Sequence, residues 1–286
     1  MALQIRHILF PVDFSSQCVT ASATVKAWAN RLDAKVTLLH AFESIVFYDP
    51  ETASMEAEMQ LLRGLAKQRL DGFLADGWES LGLERVLVEG SAASAIVSYA
   101  HGNAVDLIVM PTQGHSRFRQ LLLGSVTASV LHDSEVPVWT SAHLADPGQH
   151  EEPKRIVCAV DCGPETARVV SFAMEIARQF AANLTVMYAN AAVGTTFESG
   201  IAQSAHRFVV EQAKAAYALA TVGIEDAPLL EVIENGPLVD AVRQLVDREK
   251  AELLIIGRGR TQEFLGRLRS NAHDLIRMSG CPVLSV

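Results

Sequence analysis

Ile5–Asp13 reads IRHILFPVD, and Arg155–Asp161 reads RIVCAVD. Each is a short apolar run ending in an acid, the pattern of a buried strand whose last residue emerges at a sheet edge. The residues after each acid match as well. Ser15-Ser16 is a capping signal that opens an amphipathic stretch through Ala23, Ala27 and Trp28 to Leu32. Gly163-Pro164, with proline at a helix start, opens another through Val169, Phe172, Ala173 and Ile176 to Phe180. Then come the β-rich runs AKVTLLHAF (34–42) and ANLTVMYAN (182–190). Ala and Leu at helical spacing predict helices over 54–80 and 199–222. VLVEG (86–90) matches EVIENG (231–236), and each leads into a further helix, 92–102 and 237–249. VDLIVMP (105–111) matches AELLIIG (251–257), and EVPVWTS (135–141) matches GCPVLSV (280–286). Asp13 and Asp161 lie 148 residues apart, and Pro137 and Pro282 lie 145 apart. The chain is a tandem duplication.

Each copy alternates strand and helix five strands deep, and the near-continuous apolar runs LIVM and LLII indicate strands covered on both faces. The expected fold is two doubly wound parallel-sheet α/β domains of about five strands each. The predicted boundaries are 1–143 for the first domain, 144–153 for a polar linker rich in Pro and Gly, and 154–286 for the second. In such sheets a ligand sits beyond the C-terminal strand ends, where strand order reverses. Asp13, Asp161 and the residues after Val109 and Ile256 are expected there.

The 286 residues suit two domains, and 49% hydrophobic with 20% charged residues suits a folded chain. The net charge is −9 and the pI about 5.5. Both halves are acidic, which disfavours nucleic acid as a partner. No stretch reaches the roughly 20 apolar residues needed to span a bilayer, and the first residues do not read as a signal peptide. A cytoplasmic location is expected. Cys18, Cys158, Cys162 and Cys281 have neither metal-ligand nor C-x-x-C spacing and read as reduced thiols.

The densest local signal is MPTQGHSRFRQLLLGSVT (110–127). A buried strand ends at Met110, Gly114 comes next in a loop, and Gly124-Ser125 opens the helical run VTASVLHD. Gly-Ser before a helix offers close backbone approach, a hydroxyl and free N–H groups backed by the helix dipole, which together make an anion site. The same residues also read as a plain turn at Gly124 and an N-cap at Ser125. No P-loop G-x-x-x-x-G-K-(S/T) occurs, and Gly257-Arg258-Gly259 fails as a dinucleotide fingerprint because position 262 is Gln. His40 reads as packing at a strand end. No two histidines have metal spacing, no G-x-S-x-G elbow surrounds Ser125, and no catalytic constellation is found.

FPVDFSS (10–16), EGSAASAIVSYA (89–100) and the unit of Gly114, nine residues, Gly124-Ser125, then Pro137-Val138, resemble the universal stress protein family. The order recurs in both halves, so the resemblance covers nearly the whole chain. It implies Rossmann-like or flavodoxin-like domains that pair through their last strands, within one chain and also in a possible homodimer. One subclass of the family binds ATP through G-x-x-G, nine residues, G-(S/T).

Carried over by position, the resemblance implies a nucleotide site in the first copy at Pro11, Val12, Asp13, Ala41, Met110, Gly114, Gly124, Ser125, Val126 and Thr127. Asp13 stands near the nucleoside, the Ala41 backbone meets adenine, and Ser125–Thr127 face phosphate. His115 lies beside the loop, where phosphate contact and exposed polarity explain it equally. The expected ligand is ATP or another adenine nucleotide, with Mg2+ as a possible companion. Pro111 replaces the first glycine and has no N–H to offer.

In the second copy the motif reads Gly257, Arg260, nine residues, Ser270-Asn271. Side chains now stand where backbone should approach phosphate, so that site is expected to be lost. Asp161 there also reads as a cap of the following helix. Arg258, Arg260, Arg267 and Arg269 read as a solvated face or as an anion catch. The implied function is regulatory nucleotide binding in a stress-response protein. A scaffold without ligand and, more weakly, a slow ATPase are the alternatives.

Overall fold

The computed structural model describes residues 4–43, 55–78, 81–112, 123–141, 151–189, 200–233, 237–258 and 267–286. The chain divides into two compact units. One takes the described residues up to 138 and the other those from 139.

The first copy runs β1 (His7–Pro11), α1 (Ser16–Leu32), β2 (Lys35–Phe42), α2 (Met55–Gly72), β3 (Leu83–Glu89), α3 (Ala92–Gly102), β4 (Leu107–Met110), α4 (Ser125–Asp133) and β5 (Val138–Thr140). The second runs β6 (Arg155–Ala159), α5 (Thr166–Phe180), β7 (Asn183–Ala189), α6 (Gly200–Ala220), β8 (Leu230–Ile233), α7 (Leu238–Glu249), β9 (Leu253–Ile256), α8 (Arg267–Met278) and β10 (Val283–Ser285). Strand order is 3-2-1-4-5 in the first copy and 8-7-6-9-10 in the second. This is the Rossmann order, and the paired strands are parallel. Order reverses between β1 and β4, and again between β6 and β9. Residues of β1, β4 and β9 are buried throughout, as strands with helices on both faces must be.

Equivalent residues make equivalent bonds in the two copies. The Val12 N–H donates to the Leu39 carbonyl (2.8 Å) and the Val160 N–H to the Met187 carbonyl (2.9 Å). Asp106 Oδ2 accepts the Arg6 and His7 N–H groups at the start of β1, and Glu252 Oε2 accepts those of Lys154 and Arg155 at the start of β6. The acid before the fourth strand of each copy thus satisfies backbone donors that the sheet edge leaves open. Both first helices end on a non-glycine residue in the left-handed region, Asp33 (φ 51°) and Ala181 (φ 48°).

Two elements differ from their sequence-based expectation. The helix expected over 54–80 stops at Gly72, and the left-handed Leu74 (φ 50°) and Gly77 (φ 78°) carry the chain through a turn. Pro164 does not open α5. It is the second residue of a turn closed by the Thr166 N–H on the Gly163 carbonyl (3.1 Å), and the helix starts after it.

Candidate functional site: a cleft at the strand-order reversal of the first copy

Where β1 and β4 diverge, their C-terminal ends and the starts of α3 and α4 enclose a cavity of about 320 Å3. That is the size at which small-molecule clefts begin. All the expected site residues that are described line it. Pro11, Val12 and Asp13 come from the end of β1, Ala41 from β2, Met110 from β4, and Gly124, Ser125, Val126 and Thr127 from the start of α4. Gly114 and His115 lie outside the described residues. Cys18, Leu39, His40, Ala92, Ile96 and Pro111 complete the wall. Of these, sequence reasoning weighed Pro111 for the site and read His40 only as packing.

Asp13 is held by its own turn. Its Oδ1 accepts the Ser15 N–H (2.9 Å) and the Cys18 thiol (3.1 Å), while Ser15 caps α1 by accepting the Cys18 N–H. Burial, with the Asp13 carboxylate beside it, pushes the Cys18 thiol up to about 12. It is a neutral thiol, not a nucleophile. Asp161 does the same turn work in the second copy, accepting the Gly163 N–H (2.8 Å). The acid does not cap α5, whose N-cap is Glu165 without a side-chain bond: its partner Gly163 belongs to the turn before the helix.

Phe14, one residue past Asp13, is left-handed at φ 63°. For a bulky side chain this conformation is strained and persists only where surroundings enforce it. The ring packs on His40 (centroids 4.3 Å apart) and edge-on to Phe73 (5.2 Å), with the Arg69 guanidinium 4.4 Å above it. These contacts from β2, from α2 and from the residue just past it hold the strained turn.

The phosphate end is narrower in donors than the motif alone implies. The Gly124 N–H donates to the Thr112 carbonyl (2.9 Å), and the Thr127 hydroxyl donates to the Pro111 carbonyl (3.1 Å). Pro111 has no N–H. What the first turn of α4 offers is the N–H groups of Ser125, Val126 and Thr127, which have no intrahelical acceptor, and the exposed Ser125 hydroxyl. Gly124 has φ −61° and ψ 146°, open to any residue, so its lack of a side chain serves approach and not backbone conformation.

The second copy is built differently at this place. α8 begins at Arg267, so Ser270 is its fourth residue, inside the helix and not at its cap. The N–H groups that α4 leaves open in the first copy correspond to positions already within the helical ladder. Gly257, which takes the place of Pro111, packs its backbone against Val169 of α5; a Cβ there would stand 3.0 Å from the valine methyl. The first copy has Ala21 at the place of Val169. Arg258 donates its N–H to the Val286 carbonyl (2.9 Å). Arg260 and the side chains of Arg267 and Arg269 lie outside what is described.

A family model described as the universal stress protein family matches residues 4–141 and again 152–286. The chain belongs to this family. A universal stress protein of Thermus aquaticus is 32% identical over 133 residues, which is 46% of this chain and 96% of that one. One from Synechocystis is 50% identical over 58 residues, so the chain spans about a fifth of that relative's length. The crystal structure of a universal stress protein from Archaeoglobus fulgidus shares the fold over 99% of this chain and 96% of its own, with a TM-score of 0.65 at 20% identity. The family thus recurs twice along the chain, as the repeat predicts.

Proposed function

We propose that the first copy binds an adenine nucleotide, ATP above all, as the regulatory ligand of a cytoplasmic stress-response protein. The second copy is a degenerate partner without nucleotide. In the same reading the copies pair through EVPVWTS and GCPVLSV, and tandem chains can form a homodimer.

The observation that carries this is the cleft, whose wall brings together the end of β2 at Ala41, Asp13 and the open first turn of α4. Strand residues alternate the side to which their N–H and C=O point, and in parallel pairs both groups of one residue face the same neighbour. Leu39 faces β1, so Ala41 faces the same side, past the end of the β1/β2 pairing at Pro11. A peptide N–H beside a C=O suits the edge of adenine, where a ring-nitrogen acceptor adjoins an amino donor. Asp13 is the acceptor on the same wall to which a ribose hydroxyl would donate. The three open N–H groups and the Ser125 hydroxyl take phosphate, with the α4 dipole behind them. Magnesium bound with ATP draws its ligands mainly from phosphate oxygens and water, and Asp13 is the acid on the cavity wall.

A specific observation favours a second reading, a scaffold without ligand. Pro111 lacks an N–H, and the Gly124 N–H and Thr127 hydroxyl are already engaged within the fold. Mass spectrometry of small molecules released by denaturing freshly purified protein separates the two. Nucleotide binding predicts an adenine nucleotide in the released fraction or uptake of added ATP. A scaffold predicts neither.

A further inference from the structure

A base that meets the Ala41 backbone lies in the plane of the sheet, because hydrogen bonds to a strand's N–H and C=O groups lie in that plane. Its two faces then look to the two helix layers. The crossover from β2 to β3 runs one way along the sheet and that from β3 to β4 runs back, so right-handed connections place α2 and α3 on opposite faces. His40 belongs to the α2 side. Its ring packs on Phe14, which in turn meets Phe73, and its Nδ1 donates to the Val12 carbonyl (2.8 Å). Alternation along β2 turns the Leu39 and Ala41 side chains to the α3 side. There α3 packs on β2, and Ala92 and Ile96, one turn apart on the same helix face, line the cavity. Ile96 is buried, and Ala92, the first residue of the helix, is half-buried.

The second copy holds the same helix in the same register with a larger residue at its start. The first helical bonds correspond, from the Ala95 N–H to the Ser91 carbonyl (2.9 Å) and from the Ala241 N–H to the Pro237 carbonyl (3.0 Å). The buried faces correspond as well, Ala95, Ile96 and Ala100 in α3 against Ala241, Val242 and Val246 in α7. Leu238 therefore stands at the place of Ala92, and Val242 at that of Ile96. Leucine adds three carbons where the first copy has one methyl group, and valine takes back a single carbon. We infer that Ala92 sets the room at the base end of the cleft: with Ile96 it forms the apolar wall on which one face of the base lies, and its methyl group leaves space that Leu238 takes at the same place in the second copy. This rests on the nucleotide reading of the cleft and adds to it a specificity-determining residue. The wall has no hydrogen-bonding side chain, so it selects a flat apolar face, and a purine offers more of one than a pyrimidine.

The test uses the full chain. Ala92→Leu puts into the first copy the residue that the second carries at this place, and Ala92→Ser alters the chemistry while keeping the side chain small. Thermal melting followed by circular dichroism checks that both variants fold. Calorimetric titration should show ATP affinity falling about ten- to hundredfold in Ala92→Leu, what overpacking a filled site costs. In Ala92→Ser the affinity should stay within about threefold of the parent. A second readout needs no variant. In the parent's ATP complex, nuclear Overhauser contacts should join the adenine ring protons to the Ala92 and Ile96 methyl groups. A folded Ala92→Leu chain that binds ATP as the parent does, an equal loss in Ala92→Ser, or a bound adenine without contact to either methyl group overturns the inference and leaves the nucleotide reading standing. A parent chain that binds no ATP overturns the nucleotide reading itself, and the role of Ala92 with it.

Discussion

The two copies share a strand order and, among the described residues, the backbone bonds at the start and end of their first strands, yet differ where the family motif would meet a ligand. In the first copy, α4 starts at Ser125, immediately after Gly124, and its open N–H groups face a cavity. In the second, α8 starts at Arg267 and absorbs Ser270 into its first turns, while Val169 fills in against Gly257. What differs is where a helix begins and how large one neighbouring side chain is. Duplication keeps the scaffold because packing maintains it. A ligand site is kept only by a few donors left unsatisfied, and a shift of one helical turn removes them.

The contrast between the copies is open to attack first at Gly124. Its φ and ψ suit an N-cap aspartate, which would satisfy first-turn N–H groups itself and hold the helix start. Gly124→Asp should therefore keep or raise the melting temperature while weakening ATP by about a hundredfold or more, since a fixed carboxylate then competes with phosphate. Ser270→Asp should leave ATP binding unchanged. Equal losses from the two, read by calorimetry, would remove the asymmetry between the copies.

Pro111→Gly probes a smaller effect. Ile108 donates its N–H to the Pro137 carbonyl on the β5 side, so by alternation residue 111 faces β1 and the cleft. Glycine there supplies the donor that proline lacks, and one hydrogen bond to a charged group is worth about 1.5–3 kcal/mol, roughly tenfold or more in affinity. The freer unfolded chain costs up to about 1 kcal/mol in stability. Tighter ATP binding with a slightly lower melting temperature is the expected pair of results. No gain in affinity would mean that the loop bypasses position 111.

Thr127→Val removes the hydroxyl that ties α4 to the Pro111 carbonyl and keeps the shape of the side chain. The buried carbonyl loses its partner, and stability in urea should fall by about 1–2 kcal/mol. The second copy has an exposed His273 at this place.

The smallest expected effect is on pH. His7 is buried, with Nδ1 against the Asn103 carbonyl (3.0 Å) and Nε2 against the Thr37 hydroxyl (2.8 Å). Lys35, Asp106 and Glu84 are the charges around it. Burial holds its pKa below the ordinary 6.5, against the pull of the Asn103 carbonyl. Below pH 6.5 the unfolded chain takes a proton that the folded one refuses, so stability is full above 6.5 and is lost as pH falls toward the folded value. Arg155 replaces this histidine in the second copy and pairs with Glu252 at 2.6 Å. Melting at pH 7.5 and pH 5 should show the first copy weakening more, and His7→Gln should remove that excess. An equal acid response of both copies would contradict the assignment.

Much of this was legible in the residues alone. The repeat, the alternation of strands and helices, and the emergence of Asp13 beyond a strand end come from apolar periodicity and from the rule that ligands sit beyond strand ends, Gly124-Ser125 from the look of a helix start, and Ala41, Val126 and Thr127 only from the family resemblance. What was not legible depends on which backbone groups are already engaged. That Gly124 and Thr127 each donate inside the fold, and that His40 takes the Val12 carbonyl, are facts of register and tertiary contact, with no signature in spacing. Pro164 misled for a related reason. Proline suits the second position of a turn as well as the first of a helix, and only the Thr166 bond to Gly163 decides between them.

The claim that one copy binds and the other does not is tested most directly by native mass spectrometry of the intact chain at saturating ATP. The account predicts one nucleotide per chain, lost in Gly124→Asp and retained in Ser270→Asp. Two nucleotides per chain, or one that survives Gly124→Asp, would contradict it.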